Sequence, residues 1–207
     1  MAHSLKNTDD FYYKIYYDSC SEFEEVREMC LSENNWLRHI YLPENLIIEK
    51  HFGYGVIFEK GTNLPVGMGG LFNDGRFPSN VARQLHREYT FPAFRQNTRQ
   101  GIRDLLTLYT ECLVKPLSEA NNFDVYFLAM QNRDKKVSKG YWKIFSETAV
   151  SVLPQYKIGS GYIQTCPFNV QKCWQNFIYY ESKSGLFDAW DKTIISHDEW
   201  EKLEPGN

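Results

Sequence analysis

The chain has 207 residues, a formal charge of −3 at neutral pH and an aromatic content of 16%. Its length suits one sizeable domain, or one domain with an appendage, and an apolar content of 43% is enough to build a core. The slight acidity gives no reason to expect general nucleic-acid affinity, and no apolar run reaches membrane-spanning length.

The first residues carry no signal-peptide pattern, so a soluble, cytoplasmic protein is expected. The five cysteines are odd in number and form no C-x-x-C pair. Cys30 and Cys112 fall on apolar helical faces, which predicts reduced, buried thiols rather than a disulfide frame. The histidines are scattered, with no H-x-x-x-H pair, and no metal is expected.

In chain order, residues 11–17 are aromatic and β-prone and read as a first strand. Ser21 with Glu24 fits a capping box ahead of a helix that places Phe23, Val26 and Cys30 on one face. Trp36, Leu37, Ile40 and Tyr41 suggest a short second helix that stops at Pro43. A strand clearest at residues 54–59, a turn at Gly61-Thr62-Asn63 and a returning strand at 65–72 form a hairpin. Gly67, Gly69 and Gly70 in the returning strand let another backbone or a ligand come close. A fourth strand, 82–91, meets Pro92, which marks a bulge, an edge or the strand end.

The longest amphipathic pattern follows: Ile102, Leu105, Leu106, Tyr109, Cys112 and Leu113, one face of a helix from about Gly101 to Ser118. A polar turn, Gln96-Asn97-Thr98-Arg99-Gln100-Gly101, leads into it. Main-chain N–H groups at such a helix start, with the helix dipole and Arg95, Arg99 and Arg103, favour an anion. A solvated basic helix start without a ligand fits the same residues. Residues 124–130 form the most continuous apolar strand, 134–152 a helix that ends before Pro154, and 156–165 and 173–180 two more strands. Residues 182–207 read as an appendage, with Ser196 and Glu199 capping a short helix.

This order predicts an α+β (mixed α/β) fold over residues 1–181. Its central sheet is mixed and mostly antiparallel, of about seven strands, with one parallel β-α-β connection between the fourth and fifth. Together with two local motifs, the order resembles the GCN5-related N-acetyltransferase family over roughly residues 11–180. Gln96 and Gly101 match the ends of the family's Q/R-x-x-G-x-G/A turn, with Arg99 where the middle glycine is expected. Asn132 after the fifth strand and Tyr141-Trp142-Lys143-Ile144-Phe145 resemble the family's N-x-x-A-x-x-x-Y-x-x-x-G-F, at a spacing about two residues longer.

The resemblance implies acetyl-CoA, or another acyl-CoA, as cosubstrate and transfer of its acyl group to an amine. Its pyrophosphate would lie on the N–H groups from Thr98 to Ile102, and the cofactor-binding candidates are Phe91, Gln96, Asn97, Thr98, Arg99, Gln100, Gly101, Ile102 and Asn132. Asn132 would contact the pantetheine arm or simply cap the next helix. A backbone N–H near Tyr89 to Phe91 would serve the thioester oxygen. For the proton acceptor, His86 and Glu88 lie two residues apart on one strand face. Histidine has the more suitable pKa, and Glu88 would need burial or a water relay. Tyr141 matches the family's acid for the leaving thiolate, and core packing explains it equally.

Trp36, Tyr41, Phe52, Tyr54 and Phe72 could line an acceptor pocket, with core packing as the plainer reading. The acceptor is a small-molecule or peptide amine that the residues do not specify. Residues 73–79 and the tail from Ser182 either close over it or make a homodimer contact. Two other functions stay open: a catalytically inactive binding or structural module with the same fold, favoured by Arg99, and single-stranded nucleic-acid binding through residues such as Arg83, Arg87 and Phe94.

Overall fold

In a computed structural model, the structure describes residues 4–33, 51–72, 84–120, 125–132, 157–165, 173–181 and 194–195, with helical pieces at 143–144, 147–148 and 151–152. The chain divides into two compact units. One comprises residues 1–73 and 85–122, the other residues 74–84 and 123–207.

The first unit begins with a single 3-10 turn, Thr8–Asp10, capped by the Asn7 side chain on the Asp9 N–H. Strand β1 (Phe11–Tyr16) pairs antiparallel with β2 (His51–Glu59), Phe11 opposite Glu59 and Tyr16 opposite Tyr54. β2 pairs antiparallel with β3 (Pro65–Phe72), Gly55 opposite Gly69 and Ile57 opposite Gly67. The predicted turn joins them: Gly61 (φ 88°) and Asn63 (φ 57°) take the left-handed conformation that glycine and asparagine tolerate.

Helix α1 (Ser21–Glu33) packs on one face of this sheet through Phe23, whose ring meets Tyr54 edge-on at 5.3 Å and Tyr16 at 5.5 Å. The predicted capping residues are used differently. Ser21 is already helical, and Glu24 accepts from Ser19 Oγ (2.5 Å) and from Arg27 Nε (2.7 Å). Those bonds let the Arg27 guanidinium be buried within the helix face.

The opposite face of the sheet takes a long helical segment. It comprises α2 (Arg99–Tyr109), a π-helical turn (Thr110–Val114) and α3 (Lys115–Ala120). The sequence predicts a helix here without a break. The π turn precedes Pro116, which has no N–H and whose ring would strike the carbonyl four residues back, so the backbone widens to admit it. The ridge Tyr109, Leu113, Leu117 descends into a groove of glycines. A Cβ on Gly67 would lie 2.2 Å from the Tyr109 hydroxyl, one on Gly55 2.5 Å from Leu113 Cδ2, and one on Gly53 2.8 Å from Leu117 Cδ2. The close approach expected at Gly67 is thus made by a helix side chain. Leu108, outside the predicted stripe, is fully buried, whereas Leu105 and Leu106 are only half-buried. Cys30 and Cys112 are buried free thiols, as their spacing indicated.

β4 (Gln84–Thr90) enters this unit from Leu85 onward, and the Phe91 N–H donates to Val66 O of β3 (2.9 Å). The second unit holds β5 (Val125–Asn132), β6 (Lys157–Thr165), β7 (Cys173–Glu181) and β8 (Ile194–Ile195). β7 lies between β5 and β6, antiparallel to both, with Leu128 opposite Ile178 and Ser160 opposite Ile178. β8, within the segment read as an appendage, pairs with Tyr162 and Ile163 of β6. The architecture is therefore mixed α and β with largely antiparallel pairing, as expected. The helices predicted around Trp36–Tyr41 and after Ser196 fall outside the described residues.

Candidate active site

Of the residues singled out in the sequence, Glu88, Phe91 and Gln96–Ile102 lie on the stretch of the first unit from the end of β4 to the start of α2. β4 stops at Thr90 because Pro92 cannot continue a ladder. Pro92 instead opens a 3-10 turn, Pro92–Phe94, at a position where no N–H is needed. Phe91 and Phe94 anchor the turn in the core, and Phe94 N–H donates to Phe91 O (2.9 Å).

The polar turn then folds over the helix start. Thr98 is extended (φ −97°, ψ 153°) and caps α2, its Oγ1 accepting from the Gly101 N–H (3.0 Å) and its carbonyl from the Ile102 N–H (2.9 Å). Two of the N–H groups expected to face an anion are thereby engaged within the chain. The amides of Arg99 and Gln100 precede the first intrahelical bond and point along the helix axis at its start. Gln96 lies across the same point. Its Nε2 donates to Phe94 O (3.2 Å), and a Cβ on Gly101 would stand 2.5 Å from its Oε1. Gly101 is thus needed for this packing, whatever a ligand requires. Arg99 is exposed and fills no interior space. Arg95 turns back to the strand, donating from Nε to Thr90 O (2.9 Å) with its guanidinium over the Tyr89 ring at 5.3 Å.

Two features of Glu88 pull in opposite directions. The residue is exposed, which favours an ionised carboxylate. Protein atoms crowd the carboxyl, however, and this desolvation, opposed by a hydrogen bond from its own main-chain N–H, pushes its pKa up to about 8. The direction follows from the crowding, and access to water limits its size. A carboxyl that titrates near neutrality can act as a general base. On the other face of β4, Tyr89 is buried against α1. Its hydroxyl donates to Glu33 Oε2 (3.3 Å), and the Phe91 ring meets it edge-on at 5.0 Å. Burial holds Cys30, also on α1, near a pKa of about 12. That thiol stays protonated and offers no covalent relay for an acyl group.

Glu88, Phe91 and the Gln96–Ile102 turn thus follow one another along the chain, from β4 through the 3-10 turn to α2. Asn132 ends β5 and His86 lies in β4, but their side chains fall outside the described residues, as does Tyr141 entirely. Of the pocket aromatics, Tyr54 is a fully buried core residue beneath α1. Trp36, Tyr41 and the side chains of Phe52 and Phe72 lie outside the description. Sequence reasoning placed Tyr109 only on an apolar stripe. Its hydroxyl in fact donates to Tyr89 O (2.7 Å) and pairs with Thr90 Oγ1 (3.0 Å), at the end of the strand that bears Glu88. The available signals were a tyrosine on the apolar stripe and the glycines of β3, with nothing in the sequence to pair them.

Compared with family models and with curated protein sequences, the chain matches none. Among solved structures it is similar to a protein described as a phosphinothricin N-acetyltransferase (TM-score 0.51, 11% identity, covering 84% of this chain and 99% of that one). It is also similar to spermidine N-acetyltransferase from Vibrio cholerae, solved with coenzyme A and spermine (TM-score 0.50, 9% identity, 84% and 98% covered). The chain has the fold of the GCN5-related N-acetyltransferases. No helix among the described residues is long and apolar enough to cross a membrane.

Proposed function

We propose that the protein is an acyl-CoA-dependent N-acyltransferase, most simply an N-acetyltransferase, acting on a small-molecule or peptide amine. The observation that carries this reading is the continuity of one segment, in which Glu88, with its raised carboxyl pKa, stands ten residues ahead of the Thr98-capped helix start. The likeness to a spermidine N-acetyltransferase bound to coenzyme A supports the choice of cosubstrate. The start of α2 takes the pyrophosphate on the Arg99 and Gln100 amides, with the arginines of the turn adding charge. In the second unit, Gln84 pairs parallel with Phe127 of β5, which supports the expected parallel connection through α2. Residues 1–181 form the acyltransferase domain, and 182–207 the appendage whose strand pairs with β6.

Chemistry in this scheme is direct transfer. The amine nitrogen attacks the thioester carbonyl, the C–N bond forms, and the C–S bond breaks. The amine proton passes to Glu88, or to His86 in its place, and the leaving thiolate takes a proton from Tyr141. Phe91 N–H is committed to Val66 O. Strand alternation turns the Thr90 N–H away from β3, and this is the donor assigned to the thioester oxygen. Asn132 contacts the pantetheine arm.

Thermal unfolding with acetyl-CoA, coupled to thiol release across a panel of amines that includes spermine, tests the reading. At a ligand concentration of a hundred times Kd the native state gains about 2.7 kcal/mol, a readily measured rise in Tm. Absence of any shift with acetyl-CoA and longer acyl-CoAs would sink it. A shift without thiol release from any amine would favour the inactive binding module.

A further inference from the structure

The Tyr109 side chain leaves α2 and ends over Gly67 of β3, against the end of β4. Its phenol oxygen donates to Tyr89 O (2.7 Å) and pairs with Thr90 Oγ1 (3.0 Å). The next residue along, Phe91, is tied to β3 through its N–H on Val66 O (2.9 Å). Only a glycine at position 67 leaves room, since a Cβ there would lie 2.2 Å from the hydroxyl and 2.7 Å from Cζ.

Packing alone does not call for this arrangement, since a leucine would fill an apolar helix stripe. What the hydroxyl adds is a direct hold on the Tyr89–Thr90 peptide, one residue from Glu88. Its bond to Thr90 Oγ1 pins a side chain that lies two residues from Glu88, on the same strand face. α2 is then a strut, with its first turn at the Thr98 cap and its last residue against the strand end.

We propose that Tyr109 is a positioning residue for acyl transfer: its hydroxyl, bound to Tyr89 O and Thr90 Oγ1, sets the strand end that carries Glu88 and the Thr90 N–H. This rests on the acyltransferase reading above. The test is Tyr109→Phe, which keeps the ring, with Thr90→Val as a second variant that leaves Tyr109 in place. Steady-state kinetics and amide hydrogen exchange are measured on both and on the unmodified protein. Tyr109→Phe should lower kcat at least about tenfold with KM for acetyl-CoA within about twofold, and should speed exchange of the Phe91 amide at the strand end; Thr90→Val should lower kcat less, again without a KM change. A Tyr109→Phe protein whose Phe91 exchange changes while kcat stays within about twofold would show a purely structural hydroxyl and overturn the proposal. Should Tyr109→Phe fail to fold, an unchanged kcat in Thr90→Val overturns it equally. If the unmodified protein itself neither binds acetyl-CoA nor releases thiol, the acyltransferase reading fails and takes this proposal with it, and the failure shows in the parent rather than in the variants.

Discussion

Tyr109 and Gly67 are matched to each other: the tyrosine hydroxyl occupies the space that any side chain at position 67 would need, 2.2 Å from where its Cβ would stand. Because that hydroxyl is held by Tyr89 O and Thr90 Oγ1, the ring cannot swing aside cheaply. Gly67→Ala should therefore destabilise the protein by roughly 1–3 kcal/mol, the usual range for overpacking. Gly61→Ala is the control. Nothing lies within 4 Å of its Cβ, and only its φ of 88° opposes the change, at a cost of about 1 kcal/mol. Urea unfolding of the two variants checks the order, and a Gly67 variant no worse than the Gly61 one would contradict the wedge.

The start of α2 gives a second measurement. Thr98 supplies both a side-chain and a main-chain acceptor to the first turn. Thr98→Ala removes the first and should cost about 1 kcal/mol in urea unfolding. Thr98→Ser, which keeps the hydroxyl, should restore most of it. If alanine and serine behave alike, the cap does not hold the turn.

These features also show what the sequence could convey. Alternation and periodicity located β1 to β4, α1 and α2, because each must bury one face and its apolar residues repeat accordingly. The hairpin turn was legible because Gly61 and Asn63 are residue types that accept positive φ. The glycines of β3 announced a close approach but not its partner, since a groove looks the same whether a strand, a ligand or Tyr109 fills it. The π turn was hidden because the spacing Tyr109, Cys112, Leu113 fits an ordinary helix, while its physical cause, Pro116, sits at the margin of the pattern. At the site, the Gln96–Gly101 turn was visible as a motif. Gly101, however, makes room for the Gln96 side chain, a contact that no spacing rule announces.

Glu24 and Arg27 make a test at the base of α1. Burial acts against the Glu24 carboxylate, but hydrogen bonds from Arg27 and Ser19 outweigh it and hold the carboxyl below its ordinary value of 4.5. A depressed folded-state pKa stabilises the protein above the unfolded value, and this contribution is lost as pH falls through the folded one. Glu24→Gln should thus lower stability at pH 7 and approach the parent protein in acid below the folded-state pKa. A difference independent of pH would mean that the carboxylate charge plays no part in holding the buried Arg27.

Glu88 links stability and activity through one proton. Desolvation raises its carboxyl from 4.5 toward about 8, so the folded chain binds the proton more tightly than the unfolded chain does. Between the unfolded and folded values the folded state holds more protons, and the Glu88 contribution to stability falls as pH rises, levelling off above the folded value. A base must be deprotonated to work, so kcat/KM should climb across the same interval with a midpoint at or below about 8. The two curves run in opposite directions because one ionisation drives both. Glu88→Gln should remove the Glu88 share of the slope from the stability curve and, with Glu88 as the base, lower kcat/KM by about 100-fold or more. Urea midpoints and initial rates measured over pH 4.5–9 in both proteins make the comparison. If Glu88→Gln flattens the stability curve yet leaves the rate profile in place, the carboxyl is crowded without being catalytic, and His86 on the same strand becomes the base to examine.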